Sequence, residues 1–136
     1  MSRYAEVYQS WQRDPETFWA EAAHGISWYK TWDRPFDPYS GAYGRWFPGA
    51  ECNTAYNCLD RHVESGHGDR AALIYDSPVT KSTRTYSYAQ LTDEVATFGG
   101  VLHDLGVRKG DRVIIYMPMV PEAVIAMLAC ARIGAI

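Results

Sequence analysis

No glycine-rich phosphate loop occurs in these 136 residues: neither G-x-G-x-x-G nor G-x-x-x-x-G-K-[ST] is present. Such loops bring backbone N–H groups up to a phosphate, so their absence argues against a self-contained dinucleotide site. Cysteine is scarce and odd in number (Cys52, Cys58, Cys130), which excludes a dense disulfide framework and fits a reducing, cytoplasmic setting. Charge of one sign is lacking too. Thirteen basic against sixteen acidic residues give a net charge of −3, and the arginines and lysines stand singly. That pattern leaves no electrostatic footprint for nucleic acid. Long apolar runs are missing: the most apolar window, 120–136, carries Glu122 and Arg132 and is too short to span a bilayer. The first ten residues lack the basic-then-apolar layout of a secretory signal. Neither nucleic acid nor membrane is therefore an expected partner. No internal repeat and no low-complexity tract occurs.

Aromatic residues, by contrast, are plentiful, with Trp and Tyr gathered in the first half. Residues 4–24 read as helical. Asp14 is placed as an N-cap with Pro15 at the first helical position, and Gly25 is a stop. Residues 27–50 hold Trp28, Tyr29, Trp32, Phe36, Tyr39, Tyr43, Trp46 and Phe47 among prolines and glycines, without a period of 2 or 3.6. This predicts an irregular segment that packs by large flat side chains. Asn53 or Thr54 opens a further helix with Tyr56, Leu59 and Val63 on one face, ended by Gly66 and Gly68.

From Ala71 the pattern changes. Ala71–Tyr75 and Thr83–Tyr88 read as a hairpin across Asp76, Ser77 and Pro78. Ser87 and Gln90 have capping-box spacing, and Leu91, Val95, Phe98, Leu102 and Leu105 then recur at helical spacing up to Gly106. Val113–Tyr116 suits a buried strand. Pro121 opens a helix that Gly134 ends, and Ala135 and Ile136 resemble the start of another strand. Hairpin, helix, strand, helix and a cut strand make the opening of a mixed α/β sheet. The expectation is an N-terminal piece of a longer protein, the alternative being a small domain that ends in an apolar dipeptide.

Chemistry is harder to find. Cys52, Cys58, His62 and His67 have spacings that lack the short knuckle of a zinc site, so a small buried thiol and a polar-edge histidine are expected instead. No Ser-His-Asp or Cys-His arrangement is suggested. Asp60, Arg61 and Glu64 read as a solvated helix face, and Met117, Met119 and Met127 as core filler. Arg70, Arg84 and Arg112 read as surface ion-pair partners. An aromatic docking module using residues 28–47 is the reading from a different functional class.

Several runs carry a family likeness. Residues 115–123, from Ile115 through Pro118 and Pro121 to Ala123, and residues 127–136, from Met127 through Cys130 and Arg132 to Ile136, closely resemble the short-chain acyl-CoA synthetases of the adenylate-forming enzymes. Residues 45–49 and 53–62 resemble that family's N-terminal extension. Phe18, Trp19 and residues 74–80 are most similar to its propionyl-CoA synthetase branch. The resemblance implies an α/β protein in which a helical, aromatic-rich extension (1–66) precedes the first elements of a mixed-sheet AMP-binding domain (67–136). It implies a full-length enzyme that uses ATP, Mg2+ and coenzyme A to convert a small carboxylic acid, propionate or else acetate, through an acyl-adenylate into its thioester. The family's phosphate loop, adenine and ribose motifs, acyl pocket and adenylation lysine are absent from these residues. No catalytic, cofactor-binding or metal residue is therefore carried over, and the chain alone is expected to be inactive, to need no cofactor, and to self-associate through its cut edge.

Overall fold

The structure, a computed structural model, describes residues 2–136. The chain divides into two compact units after Cys52.

The first unit begins with helix α1 (Arg3–Arg13) and helix α2 (Pro15–Ala23). The helical stretch expected over 4–24 is thus two helices, and Asp14 divides them. Its backbone N–H donates to Ser10 O at 3.2 Å, closing α1. Its carboxylate accepts from Thr17 N at 3.0 Å, opening α2 with Pro15 in the first turn. Hydrogen bonding from Thr17 holds the Asp14 carboxyl below its usual 3.8.

The aromatic segment that follows is irregular, as the missing period implies, apart from two short strands. β1 (Phe36–Asp37) pairs antiparallel with β2 (Arg45–Trp46), with Phe36 opposite Trp46. Gly44 permits the return, with φ at +68° and the Phe36 ring lying where a Cβ would stand. Trp28, Trp32 and Phe47 form a ring cluster with centroids 5.0–5.7 Å apart. The Trp28 indole donates to Ala23 O at 2.8 Å, so the cluster's polar edge is satisfied at the end of α2. Phe47 sits at φ +51°, a left-handed conformation that costs a non-glycine residue about 1–2 kcal/mol. Its three aromatic contacts and the bond from its N–H to Pro35 O (2.8 Å) offset that cost.

The second unit starts at Asn53. Residues 54–67 are helical but loosely wound, with two π-helical turns at Tyr56–Asp60 and Val63–His67. The Asn53 side-chain oxygen accepts from Tyr56 N at 3.1 Å and caps this segment. Strands β3 (Ala71–Ser77) and β4 (Ser82–Ser87) form the expected antiparallel hairpin, with Ile74 opposite Thr85. The expected capping box is present: Ser87 Oγ accepts from Gln90 N at 3.2 Å and Gln90 Oε1 from Ser87 N at 3.0 Å. It opens α3 (Tyr88–Asp104), which packs on α4 (Pro121–Ile133). Leu59, Tyr86, Leu91, Val95, Leu102, Ile125, Ala129 and Cys130 form the core between them.

After α4 the chain closes in a Schellman-type turn. Gly134 has φ +76°, Ala135 N donates to Cys130 O (2.9 Å) and Gly134 N to Ala131 O (3.2 Å). Ile136 then meets the segment before α4. Ile136 N donates to Asp111 O (2.7 Å) and Val113 N to Ile136 O (2.8 Å). One residue bonded to both neighbours of Arg112 is the slanted pattern of a parallel pair. The strand-helix-strand reading is therefore present in its first rung.

Four sequence expectations differ from the structure. Val113–Tyr116 does not form a buried strand: Ile114 and Tyr116 are almost fully exposed, and among the described residues no strand pairs with them. Met117, Met119 and Met127 are exposed rather than core filler. Leu105 is exposed because α3 ends at Asp104 and the helical face no longer turns inward. Cys58 is exposed rather than buried, whereas Cys130 is buried.

Leu59→Ala should lower unfolding stability by about 2–5 kcal/mol, and Ser87→Ala by about 1 kcal/mol, in denaturant titrations. Burial pushes the Cys130 thiol above its usual 9.0. A thiol reagent at neutral pH should therefore modify Cys52 and Cys58 quickly and Cys130 only in denaturant, and equal rates at all three would contradict this packing. The stability that the ionised Asp14 cap contributes should be complete above the ordinary value of 3.8 and be lost progressively as pH falls from there through the lowered folded value. Far-ultraviolet dichroism should show that acid loss of helix in the parent, and Asp14→Asn should abolish it.

Candidate functional site

Three grooves bear on chemistry. One of about 330 Å3 lies between α3 and the approach to α4, lined by Glu94, Thr97, Phe98, Val101, Met117, Glu122 and Ile125. A second, of about 220 Å3, lies between the hairpin and the start of α4, where Ile74, Asp76, Met119 and Val124 face it. The third, of about 330 Å3, lies in the first unit among Tyr4, Tyr8, Trp11, Phe18 and Trp19. Their ionisable side chains, apart from tyrosine, are carboxylates, and no lysine or arginine lines any of the three. A triphosphate needs concentrated cationic or backbone N–H donors, so these grooves do not fit ATP phosphates. Among the described residues no three His, Cys, Asp or Glu side chains gather as a metal site.

The residues singled out in the sequence are dispersed. Cys52 and Cys58 are exposed. His62 packs against the Tyr88 ring at a tilt of 38°, with ring centroids 4.8 Å apart. His24 caps the end of α2 and meets the Trp32 ring edge-on. Arg84 lies over the Tyr86 ring at 4.9 Å, a cation–π contact rather than an ion pair.

The face Asp60, Arg61 and Glu64 is not simply solvated. Asp60 accepts two hydrogen bonds from Arg132, at 2.7 and 2.9 Å. Glu64 accepts from the Tyr56 hydroxyl at 2.7 Å, and Arg61 donates to Asn57 at 3.2 Å. Asn53 uses its side-chain amide as well as its oxygen, donating to Arg132 O (3.0 Å) and Ala131 O (3.3 Å). Sequence reasoning missed this cluster. The bonds that Asp60 and Asn53 make to the end of α4 join positions 72 and more apart, and no local spacing reveals them.

The arrangement builds and braces a sheet-and-helix body, and the comparisons assign that body. The family model described as "AMP-binding enzyme" matches residues 59–136, and that described as "Acetyl-coenzyme A synthetase N-terminus" matches residues 4–58. The chain is 47% identical over 135 residues to the human acyl-CoA synthetase short-chain family member 3, mitochondrial, covering 99% of this chain and 20% of that protein. It is 47% identical over 130 residues to acetyl-coenzyme A synthetase of Mycobacterium bovis, covering 96% and 20%. The solved acetoacetyl-CoA synthetase from Streptomyces lividans superposes with a TM-score of 0.85 at 31% identity, covering 100% of this chain and 21% of that one. The chain spans about a fifth of the length of the curated relatives it matches. With more than half of its residues matched by one family model and nearly all the rest by its companion, the chain belongs to the AMP-binding, adenylate-forming enzymes, among the short-chain acyl-CoA synthetases.

Proposed function

We propose that these residues are the opening part of an AMP-forming acid–thiol ligase that acts on a short carboxylic acid, with propionate the preferred acid and acetate the alternative. The observation that supports this reading is the unbroken order of the two family matches, 4–58 then 59–136. In that enzyme ATP converts the carboxylate into an acyl-adenylate, releasing diphosphate. The coenzyme A thiol then attacks the acyl carbon and AMP leaves. A carboxylate is a poor electrophile, and the AMP leaving group removes that barrier once the reactants are positioned and their charge neutralised, with Mg2+ on the phosphates.

The role of this chain in that scheme is architectural. Residues 1–66 serve as the extension and residues 67–136 as the first elements of the large domain. The grooves described above carry no phosphate-binding groups, so the nucleotide chemistry belongs to other parts of the enzyme. A relative named for short-chain acyl groups and one named for acetyl are equally similar, and one methylene in a pocket is worth only about 1–3 kcal/mol, so propionate rests on the sequence likeness alone. The location proposed is cytoplasmic, on three unpaired thiols, although the human relative is named mitochondrial.

The test is an assay with ATP, coenzyme A and the C2–C4 acids, run on a protein extended to the length of the relatives and on this chain alone. The extended enzyme should release diphosphate and form acyl-CoA, with propionate giving the highest kcat/KM. The chain alone should form none. Failure of the extended enzyme with every acid, or turnover by the chain alone, overturns the proposal.

A further inference from the structure

The end of α4 is held from outside as well as by its own turn. The Schellman-type turn supplies partners for two of its last carbonyls, Gly134 N donating to Ala131 and Ala135 N to Cys130, but none for the carbonyl of Arg132. Asn53 donates to the carbonyls of Ala131 and Arg132, and the Arg132 guanidinium forks onto both oxygens of Asp60. These contacts converge on Ala131 and Arg132, just before Ile136, where the parallel pairing around Arg112 begins.

We propose that Asn53, Asp60 and Arg132 are positioning residues that set the register of the strand opened by Ile136. The reasoning is geometric. Asp60 and Asn53 sit on the segment that packs on α3 through Leu59, which is buried. They therefore give the end of α4 a fixed reference in the core. From that reference the Gly134 turn places the Gly134 carbonyl on Gly110 N (2.9 Å) and Ile136 between Asp111 and Val113. A slip of one residue sends every later side chain to the opposite face of the sheet, so register must be fixed at the first rung. Arg132 suits this better than lysine, because a bidentate fork fixes orientation as well as distance.

A consequence concerns the modules. Asn53 lies within the stretch matched by the N-terminus model, whereas the α4 carbonyls it donates to lie within the AMP-binding match. The last residues of the extension thus belong physically to the large domain, as the division after Cys52 also indicates. None of this depends on which acid is used or on activity.

The test is residue-resolved amide hydrogen exchange on the 136-residue chain. The variants are Asp60→Asn, Arg132→Lys, Asn53→Asp and the reversed pair Asp60→Arg with Arg132→Asp. Asn53→Asp keeps an oxygen to cap Tyr56 but removes the donor to α4. Each single variant should speed exchange at Gly110, Val113 and Ile136 by about tenfold, the loss of a charge-assisted or buried hydrogen bond, while Val95 and Leu102 in α3 stay unchanged. The reversed pair should recover part of the protection. Unchanged exchange at the three amides overturns the proposal. So does equal acceleration throughout α3, or outright unfolding, since the cluster would then be a general stabiliser and not a register device.

Discussion

The second unit depends on a clamp between positions far apart in the chain. Asp60 and Arg132, 72 residues apart, meet through two short hydrogen bonds, and Asn53 grips the carbonyls at the end of the same helix. Its energy is not what matters most. The Arg132 side chain remains 30% exposed and that of Asp60 19%, so solvent screens the attraction and its net worth falls towards that of a surface pair. Cohesion comes from apolar burial, with Leu59, Leu91, Val95 and Ala129 almost wholly withdrawn from water. What the clamp adds is direction. Apolar contact alone lets helices slide, whereas a planar fork on a carboxylate has one good arrangement.

The two units solve the packing problem differently. The second uses aliphatic residues at helical spacing, so its core is regular. The first has little aliphatic material and relies on ring edges meeting ring faces, with Trp28, Trp32 and Phe47 at its centre. That explains the left-handed Phe47: the ring cluster decides the local backbone, and propensity yields. It also leaves Tyr4, Tyr39 and Tyr43 largely exposed on this unit.

Much of this was legible in local sequence. Asp14 with Pro15, Ser87 with Gln90, and Gly134 act through neighbours a few positions away, and the hairpin and α3 follow from alternation and period. The misses share a cause. The solvated reading of Asp60 needed knowledge of Arg132, and no short-range rule joins them. Val113–Tyr116 and Met119 have the composition of buried residues, but burial requires a neighbour that these 136 residues do not supply. The π-helical winding at Tyr56 and Val63 has no periodic signature in the sequence, although Gly66, expected to end this helix, does leave the helical conformation at φ +79°. The functional assignment came through long ordered matches and not through any constellation of reactive groups, since none of the grooves has the charges that nucleotide chemistry requires.

The clamp and the first parallel rung should exist together in solution, and a nuclear Overhauser experiment on the uniformly labelled chain measures both. Cross-peaks are expected from the Asn53 side-chain amide to Arg132, and from the Val113 amide to Ile136, in the same sample. Core contacts between Val95 and Ala129 with neither of those cross-peaks would contradict it.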